Sequence, residues 1–313
     1  MPRGTARRTL PRLGRVISLA ALAELHDKYR SDLDLPVHPV TVADGVTVRD
    51  GSVTVMGAIN LSLDSTYRES VAVSTESAVR MARVQAAQGA QIVDLGAEAS
   101  GHRAGRASAG EQLDMLLPVV EALAGEVVLS VETYQPEVVD AVLRAGARVL
   151  NLTGREDEDE MLRLVAAHDA TVVMCFGESA NVREDGELPA EGDPMPVLAD
   201  HFAPRVARAR ELGVDRIVVD PAVGFHYGNL TDPLERVRLQ SRILSQSFRL
   251  RSLGVPVAVS VPHGFDLFED EFRRAEGFFT VFAALGGTQL VRIHEVPHVV
   301  RTLRALDVLE IGG

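Results

Sequence analysis

Short runs of β-branched and aliphatic residues alternate with longer amphipathic stretches over most of the chain, and this alternation constrains the fold more than any other feature. The predicted strands are Val53–Ile59, Gln91–Leu95, Val127–Val131, Arg148–Leu150, Thr171–Met174, Arg216–Val219, Val255–Ser260 and Gln289–Ile293. A strand that returns to a parallel neighbour through a helix forms a βαβ unit. Eight such units predict an α/β fold of the closed (β/α)8 TIM-barrel type.

The stretches between the strands have the spacing of amphipathic helices, for example Ser74–Gln88, Gly110–Ala124, Pro136–Ala145 and Asp157–His168. The structural alternative is a doubly wound open sheet. That fold often carries a Gly-x-Gly-x-x-Gly loop after its first strand, and no such loop follows Val53–Ile59. The closed barrel is therefore the prediction.

The chain before the first barrel strand has a different character. Residues 1–37 lack a strong pattern and are predicted to form an N-terminal extension, with the barrel spanning residues 38–313. Arginines precede a short apolar stretch, Val16 to Ala23, but charged residues follow at once, which favours a helix or tail over a signal peptide. Val40–Val48 and Ser52–Ala58 are predicted to form a β-hairpin that turns at Asp50-Gly51, because Asp-Gly suits a tight turn.

Composition excludes several classes of partner. The net charge of −12 opposes binding to nucleic acid or to an anionic membrane surface. No apolar run approaches the roughly 20 residues that a membrane helix requires. Cys175 is the single cysteine, which excludes an intrachain disulfide and a cysteine-rich zinc site and favours a reducing, cytoplasmic location.

Polar residues stand where six of the predicted strands end. They are Asn60, Glu98, Glu132, Asn151, Asp220 and the pair Arg292 and His294. Any one of them could simply cap the helix that follows. In a barrel, however, the C-terminal ends of all strands meet at one rim, where active sites form. The set together predicts a site at that rim.

The residue types indicate the ligand. Glu132 and Asp220 can accept hydrogen bonds, and Asn151 can both donate and accept, which suits the amino and ring N–H groups of a 2-amino-4-oxopyrimidine edge. Arg292 and His294 are donors suited to an anion such as pyrophosphate. The amide oxygen of Asn60 could ligate a Mg²⁺ ion that carries this anion.

Six segments resemble signature sequences of the dihydropteroate synthase family, and the likeness runs from about residue 53 to 309. They are Val55–Ser65 (family M-G-I-L-N-V-T-P-D-S), Gly89–Glu98 (G-A-D-I-I-D-I-G-G-E), Leu129–Tyr134 (I-S-V-D-T-Y), the pterin-binding Asn151, Val219–Phe225 (L-D-P-G-I-G-F) and Val291–Val296 (V-R-V-H-D-V). The resemblance implies a transferase of folate biosynthesis that joins a pterin methyl pyrophosphate to p-aminobenzoate with Mg²⁺, commonly as a homodimer.

The resemblance also implies roles for single residues. The pyrimidine edge would be held by Glu132, Asn151 and Asp220, and Phe225 would line the pterin pocket. Asn60 would ligate the metal, and pyrophosphate would be held by Arg292 and His294. Asp64 would lie in a loop that closes over the substrates. Asp64, Arg292 and His294 are the predicted catalytic residues. The other residues named here are predicted to bind the substrates or the metal.

Several positions depart from the family pattern, among them Gly101, Gly264 and Arg68. Gly101 replaces an Arg, for which Arg103 two residues on is the predicted substitute. Gly264 replaces a Lys, for which the neighbouring His263 is the predicted donor, and Arg68 reverses an acidic charge. These departures leave two alternatives open: a reduced-folate enzyme that transfers a one-carbon unit, and a catalytically impaired pterin-binding paralogue.

Overall fold

The structure is a computed structural model that describes residues 17–43, 45–62, 67–98, 105–177, 187–225 and 227–309, without the side chain of Arg68. Two helices, α1 (Leu19–Lys28) and α2 (Arg30–Leu33), precede the sheets. Between them, the ring centroid of Tyr29 lies 3.8 Å from Cζ of Arg249, whose guanidinium covers the face of the ring. This contact fixes the start of the described chain to the barrel.

A short antiparallel hairpin follows, formed by β1 (Val40–Ala43) and β2 (Val46–Val48). A hairpin before the barrel was predicted, but its strands and its turn at Asp50-Gly51 were assigned wrongly. Both of its strands lie within Val40–Val48, and most of the predicted second strand, Ser52–Ala58, belongs to the first barrel strand. The chain reverses between Ala43 and Val46, where Gly45 takes a φ of 80°, and the second Asp-Gly pair joins the hairpin to the first barrel strand. Both pairs have the same local turn propensity, so the sequence alone does not distinguish them.

The eight predicted strands form one parallel sheet, which confirms the (β/α)8 barrel. They are β3 (Thr54–Asn60), β4 (Ile92–Gly96), β5 (Leu129–Thr133), β6 (Val149–Leu152), β7 (Thr171–Cys175), β8 (Ile217–Asp220), β9 (Ala258–Ser260) and β10 (Leu290–Ile293). Adjacent strands pair in chain order, and β10 pairs with both β3 and β9. A parallel bridge between Val219 and Val257 closes the barrel.

Helices connect the strands on the outside of the barrel. They are α3 (Thr75–Ala87), α4 (Ala109–Leu123), α5 (Pro136–Ala145), α6 (Glu158–Ala167), α7 (Pro194–Glu211), α8 (Pro233–Ser245), α9 (Phe265–Phe268), α10 (Ala275–Leu285) and α11 (Val296–Val308). Helices α3 and α4 begin with capping boxes, in which the side chains of Ser74 and Ser108 accept backbone N–H groups. No described helix has both the length and the hydropathy that a membrane crossing requires.

The apolar core divides into two clusters with different roles. The larger cluster fills the space between the strands and the surrounding helices. The smaller one joins the hairpin valines to interior residues of the barrel strands, among them Met56, Ile92 and Val218. The hairpin therefore packs against the N-terminal part of the barrel interior. This arrangement leaves the C-terminal end of the barrel for polar side chains.

The close approach of two helices makes one glycine essential to the packing. A Cβ atom added to Gly286 at the end of α10 would overlap the backbone oxygen of Leu244 in α8. Gly286→Ala is therefore expected to lower the free energy of unfolding by about 3 kcal/mol, because backbone atoms have to move. Urea denaturation measures this change. Gly110→Ala in α4 is the control, since an added Cβ meets nothing within 4 Å there and stability should not fall.

Candidate active site

Strand register places the predicted polar residues side by side at the C-terminal end of the barrel. Asn60 pairs with Gly96, Gly96 with Glu132, and Glu132 with Asn151. Cys175 at the end of β7 pairs with Asp220 at the end of β8. Glu132, Asn151 and Asp220 are all buried. Since a barrel packs its interior side chains together, these residues form one polar cluster despite their separation in sequence.

Arg292 connects this cluster across the barrel. Its Nε donates to Asp94 Oδ2 at 2.7 Å, and its Nη2 donates to Glu132 Oε2 at 2.8 Å. Burial alone would lower the pKa of Arg292, but the charges of Asp94 and then Glu132 outweigh burial and raise it above its usual value. A guanidinium has five N–H donors, so three remain for a ligand after these two bonds.

Asp94 is a site residue that the sequence reasoning did not single out. It lies in the middle of β4 and is fully buried. Its Oδ1 accepts from Ser130 Oγ at 2.5 Å, and its Oδ2 accepts from Asn151 Nδ2 at 3.2 Å. The available signal was an acidic residue within an otherwise apolar strand, because a buried carboxylate requires a partner.

The same network orients the amide of Asn151. Its Nδ2 donates to Asp94, and its Oδ1 accepts from the Cys175 thiol at 3.4 Å. Burial, with smaller contributions from the charges of Asp220 and Glu132, raises the pKa of Cys175 well above its usual value. The thiol therefore stays protonated and acts as a donor within the cluster.

Asp220 differs from Asp94 and Glu132 because, among the described residues, its carboxylate makes no ion pair with an arginine. Its Oδ1 accepts from the backbone N–H of Ala222 at 2.7 Å, and its Oδ2 accepts from Ser260 Oγ at 3.2 Å. Burial raises the pKa of Asp220 to about 6, and these hydrogen bonds offset burial only in part. A ligand that donates to this carboxylate would stabilise its charged form.

His294 belongs to a second group of side chains at the same end of the barrel. Its Nδ1 lies 2.9 Å from Glu276 Oε1 and 3.1 Å from His263 Nε2. The Tyr67 ring stacks on His294 with a centroid distance of 4.2 Å, and its hydroxyl donates to Glu295. Burial, followed by the charge of His294, lowers the pKa of His263 to about 4, so His263 is neutral near pH 7.

Glu276 was also not identified from the sequence. It lies in α10 and is fully buried. Burial raises the pKa of its carboxyl. The hydrogen bond and charge of His294, together with the charge of His263, have a larger combined effect in the opposite direction, so the pKa lies below its usual value. The only sequence signal is an acidic residue in a strongly apolar helix.

Asn60 is oriented by its neighbours. The Ser70 hydroxyl donates to the Tyr67 carbonyl, and it therefore accepts from Asn60 Nδ2 at 2.6 Å. The amide nitrogen is thus occupied, and Oδ1 points toward Gly96, where it lies 3.9 Å from the position of an added Cβ. An amide oxygen held in this way fits a hard cation such as Mg²⁺.

The remaining predicted residues have separate positions. Phe225 follows β8 and is buried. Gly264 has a φ of 55°, a conformation that strains a side chain such as the Lys of the family pattern. Asp64, Arg103 and Gly101, as well as the side chain of Arg68, lie outside the described residues. Their predicted roles stay predictions.

A cavity of about 640 Å³ lies between the segments that follow β3 and β4 and the first half of α4. Its lining includes Ser62, Arg106 and Glu111. Glu98, which follows β4, accepts from Tyr134 Oη at 3.2 Å and from Gln112 Nε2 at 3.1 Å.

These features define a (β/α)8 barrel with a buried cluster of carboxylates and an amide at the C-terminal ends of its strands. A family model described as pterin binding enzyme matches residues 56–294. The chain belongs to this family of pterin-binding enzymes, and the match confirms the resemblance to dihydropteroate synthases.

Individual relatives agree with this assignment. The chain is 30% identical over 300 residues to a probable bifunctional folylpolyglutamate synthase/dihydropteroate synthase of Halobacterium salinarum, covering 93% of this chain but 36% of that protein. It is 26% identical to the dihydropteroate synthase of Bacillus subtilis, covering 83% of this chain and 90% of that enzyme.

Solved structures resemble the fold as well. Dihydropteroate synthase of Xanthomonas albilineans with 4-aminobenzoic acid superposes with a TM-score of 0.70 at 25% identity, over 87% of this chain and 99% of that one. The enzyme of Thermus thermophilus in complex with 4-aminobenzoate has a TM-score of 0.69 at 26% identity, over 87% and 100% of the two chains.

Proposed function

We propose that this chain joins a pterin methyl pyrophosphate to p-aminobenzoate and releases pyrophosphate, as a transferase of the dihydropteroate synthase type. The observation that carries the proposal is the buried cluster of Glu132, Asn151 and Asp220 at the barrel rim, within the segment that matches the pterin-binding family. The relatives that share this segment include dihydropteroate synthases. The match to this chain covers about nine tenths of the length of two such enzymes.

The electrostatics of the cluster favour a ligand edge rich in N–H donors. Among the described residues, Asp94 and Glu132 both pair with the guanidinium of Arg292, so two carboxylates face one positive charge there. Asp220 adds a carboxylate whose burial is offset only in part by its hydrogen bonds to Ala222 and Ser260. A pterin edge supplies amino and ring N–H groups, whereas a ligand without them would leave acceptors unpaired at a cost of about 1–3 kcal/mol each.

The chemistry follows from the charges at the two ends of the ligand. The C–O bond to pyrophosphate breaks with its electron pair leaving on oxygen, and the amine of p-aminobenzoate forms the new C–N bond and loses a proton. The anionic cluster around the pterin favours the positive charge that develops on the departing methylene carbon. The free N–H groups of Arg292 would donate to the leaving anion.

Mg²⁺ would be held by Asn60 Oδ1 together with pyrophosphate oxygens, since this cation usually keeps few protein ligands and uses those of a phosphate substrate. When bound, it offsets the negative charge of the leaving group. The fixed orientation of the Asn60 amide supports this role.

Calorimetry with the pterin pyrophosphate tests the proposal. Tight binding that requires Mg²⁺ is expected, and p-aminobenzoate should then yield a dihydropteroate product detectable by chromatography. Asn60→Ala should weaken the binding of the pyrophosphate ligand while leaving the binding of a pterin without pyrophosphate unchanged.

The alternatives give different results in the same assay. Preferential binding of a methyl-tetrahydrofolate would support a reduced-folate enzyme. Pterin binding with no product from any arylamine would support an impaired paralogue, to which Gly264 and Gly101 point. Absence of binding by any pterin would refute the site. The homodimer and the cytoplasmic location are proposals that rest on the family resemblance.

A further inference from the structure

Three side chains from separate elements bring one potential metal-ligand atom each to within 3.5 Å of the other two. His263 Nε2 lies 3.1 Å from His294 Nδ1, His294 Nδ1 lies 2.9 Å from Glu276 Oε1, and Glu276 Oε1 lies 3.5 Å from His263 Nε2. These residues come from the loop after β9, from α10 and from the segment after β10. Among the described residues, this is the group of histidine, cysteine and acidic side chains that meets the geometry of a metal site.

One shared hydrogen does not satisfy all three atoms. If Nδ1 of His294 carries it and donates it to Glu276, the lone pair of His263 Nε2 has no donor within the triangle. If Nε2 of His263 carries it and donates it to His294, two acceptors, Nδ1 and Glu276 Oε1, lie 2.9 Å apart. One cation inside the triangle would engage all three lone pairs at once.

The triangle has the size of one face of a coordination tetrahedron. A point about 2.0 Å from all three atoms lies just outside their plane, and this is the bond length of Zn²⁺ to histidine nitrogen and carboxylate oxygen. Two histidines and one glutamate form a known zinc ligand set that leaves the fourth position open. The His263 and His294 side chains are 18% and 10% exposed, so that position is accessible.

The ligands are held in place before any metal binds. Glu276 Oε2 accepts from the backbone N–H of Glu295 at 2.7 Å, and both of its oxygens accept from the backbone N–H of His294. His294 is stacked on Tyr67, and His263 is stacked on Phe265. Metal ligands fixed by hydrogen bonds and packing in this way bind more tightly than mobile ones.

The charge balance supports the same conclusion. The end of the barrel proposed to receive pyrophosphate contains the buried carboxylate of Glu276, which would repel an anion. A divalent cation on this carboxylate reverses the local charge. Nitrogen ligands favour zinc and related transition metals over Mg²⁺, which prefers oxygen.

We propose that His263, Glu276 and His294 form a binding site for a divalent transition metal of the Zn²⁺ class, separate from the Mg²⁺ position at Asn60. The site occupies the rim beside Arg292 and presents an open coordination position.

Metal titration of the purified chain without an affinity tag tests the proposal. The chain is first treated with a chelator and then titrated with Zn²⁺. It is expected to retain one Zn²⁺ per molecule through buffer exchange, measured by mass spectrometry of the metal. Co²⁺ should give the visible absorption of a tetrahedral site. An excess of Mg²⁺ should displace neither ion.

Two variants and a matched control complete the experiment. His263→Ala and Glu276→Gln should each weaken Zn²⁺ binding by about 100-fold or more, with folding checked by circular dichroism. His263→Ala provides the test if Glu276→Gln fails to fold, because the His263 side chain is partly exposed. His168→Ala removes a histidine paired with Asp140 alone and should bind Zn²⁺ as the wild type does.

Failure of the wild type to retain Zn²⁺, or equal binding by wild type and His263→Ala, would overturn the assignment. Both measurements use no pterin. A negative result would therefore leave the proposed transferase function untouched, and absence of transferase activity would leave the metal site untouched.

Discussion

Arg292→Met is expected to lower the free energy of unfolding by about 3–5 kcal/mol, because it leaves two buried carboxylates without their cation. Asp94 is fully buried and Glu132 nearly so, and both accept from the same guanidinium. Methionine keeps much of the side-chain volume, so the effect reports the lost charge more than a cavity. Urea denaturation near neutral pH measures it.

Arg83→Ala provides the comparison for this prediction. Arg83 also makes a two-pronged ion pair, with Glu126, but about half of each side chain is exposed. Solvent screening reduces the value of such a pair to less than about 1 kcal/mol. Equal effects of the two substitutions would show that Arg292 does not neutralise a buried cluster.

Asp220→Asn is expected to weaken pterin binding by about 100-fold or more, because the amide cannot replace a carboxylate that accepts two N–H groups. The wild type should also show a pH dependence. Since the carboxyl has a pKa of about 6 and binds in its charged form, affinity should fall by about tenfold for each pH unit below 6.

Calorimetry over a range of pH measures both effects. In Asp220→Asn, the fall in affinity at low pH should disappear. Unchanged binding by the variant would refute the role of Asp220 in holding the pterin. Asp159→Asn is a suitable control, because it neutralises a carboxylate that is 42% exposed and pairs with Arg208 on the outside of the barrel.

Asp220 should give folding stability the opposite pH dependence from pterin affinity. Its pKa is raised from 3.8 to about 6 on folding, so its contribution to stability is complete below pH 4 and is lost as pH rises through 6. The loss amounts to about 3 kcal/mol for a shift of this size. Asp220→Asn, which cannot titrate, should therefore gain stability relative to wild type between pH 4 and pH 8.

Most of the architecture followed from local sequence patterns. The eight strands agree with the predicted runs to within a few residues at each end. The residues that end β3, β5, β6 and β8 lie at one rim as expected, because parallel strands in a barrel share one direction. The hairpin turn was misplaced because two Asp-Gly pairs compete for it.

Asp94 and Glu276 show why the rest of the site was missed. Both are acidic residues inside buried elements, and each finds its positive or donor partner far away in sequence. Nothing within a strand or helix specifies such a partner. A buried carboxylate signals that a partner exists without indicating which residue it is.

The sequence by itself determined the alternation of strands and helices, the direction of the barrel and the residue types at its rim, because these depend on short-range periodicity and on the strand ends. Only the tertiary structure decided how the charges pair. Closure of the barrel brings Arg292 to Asp94 and Glu132, leaves Asp220 without an ion pair among the described residues, and brings His263, Glu276 and His294 together. Such pairings depend on distances across the barrel, which no local pattern encodes.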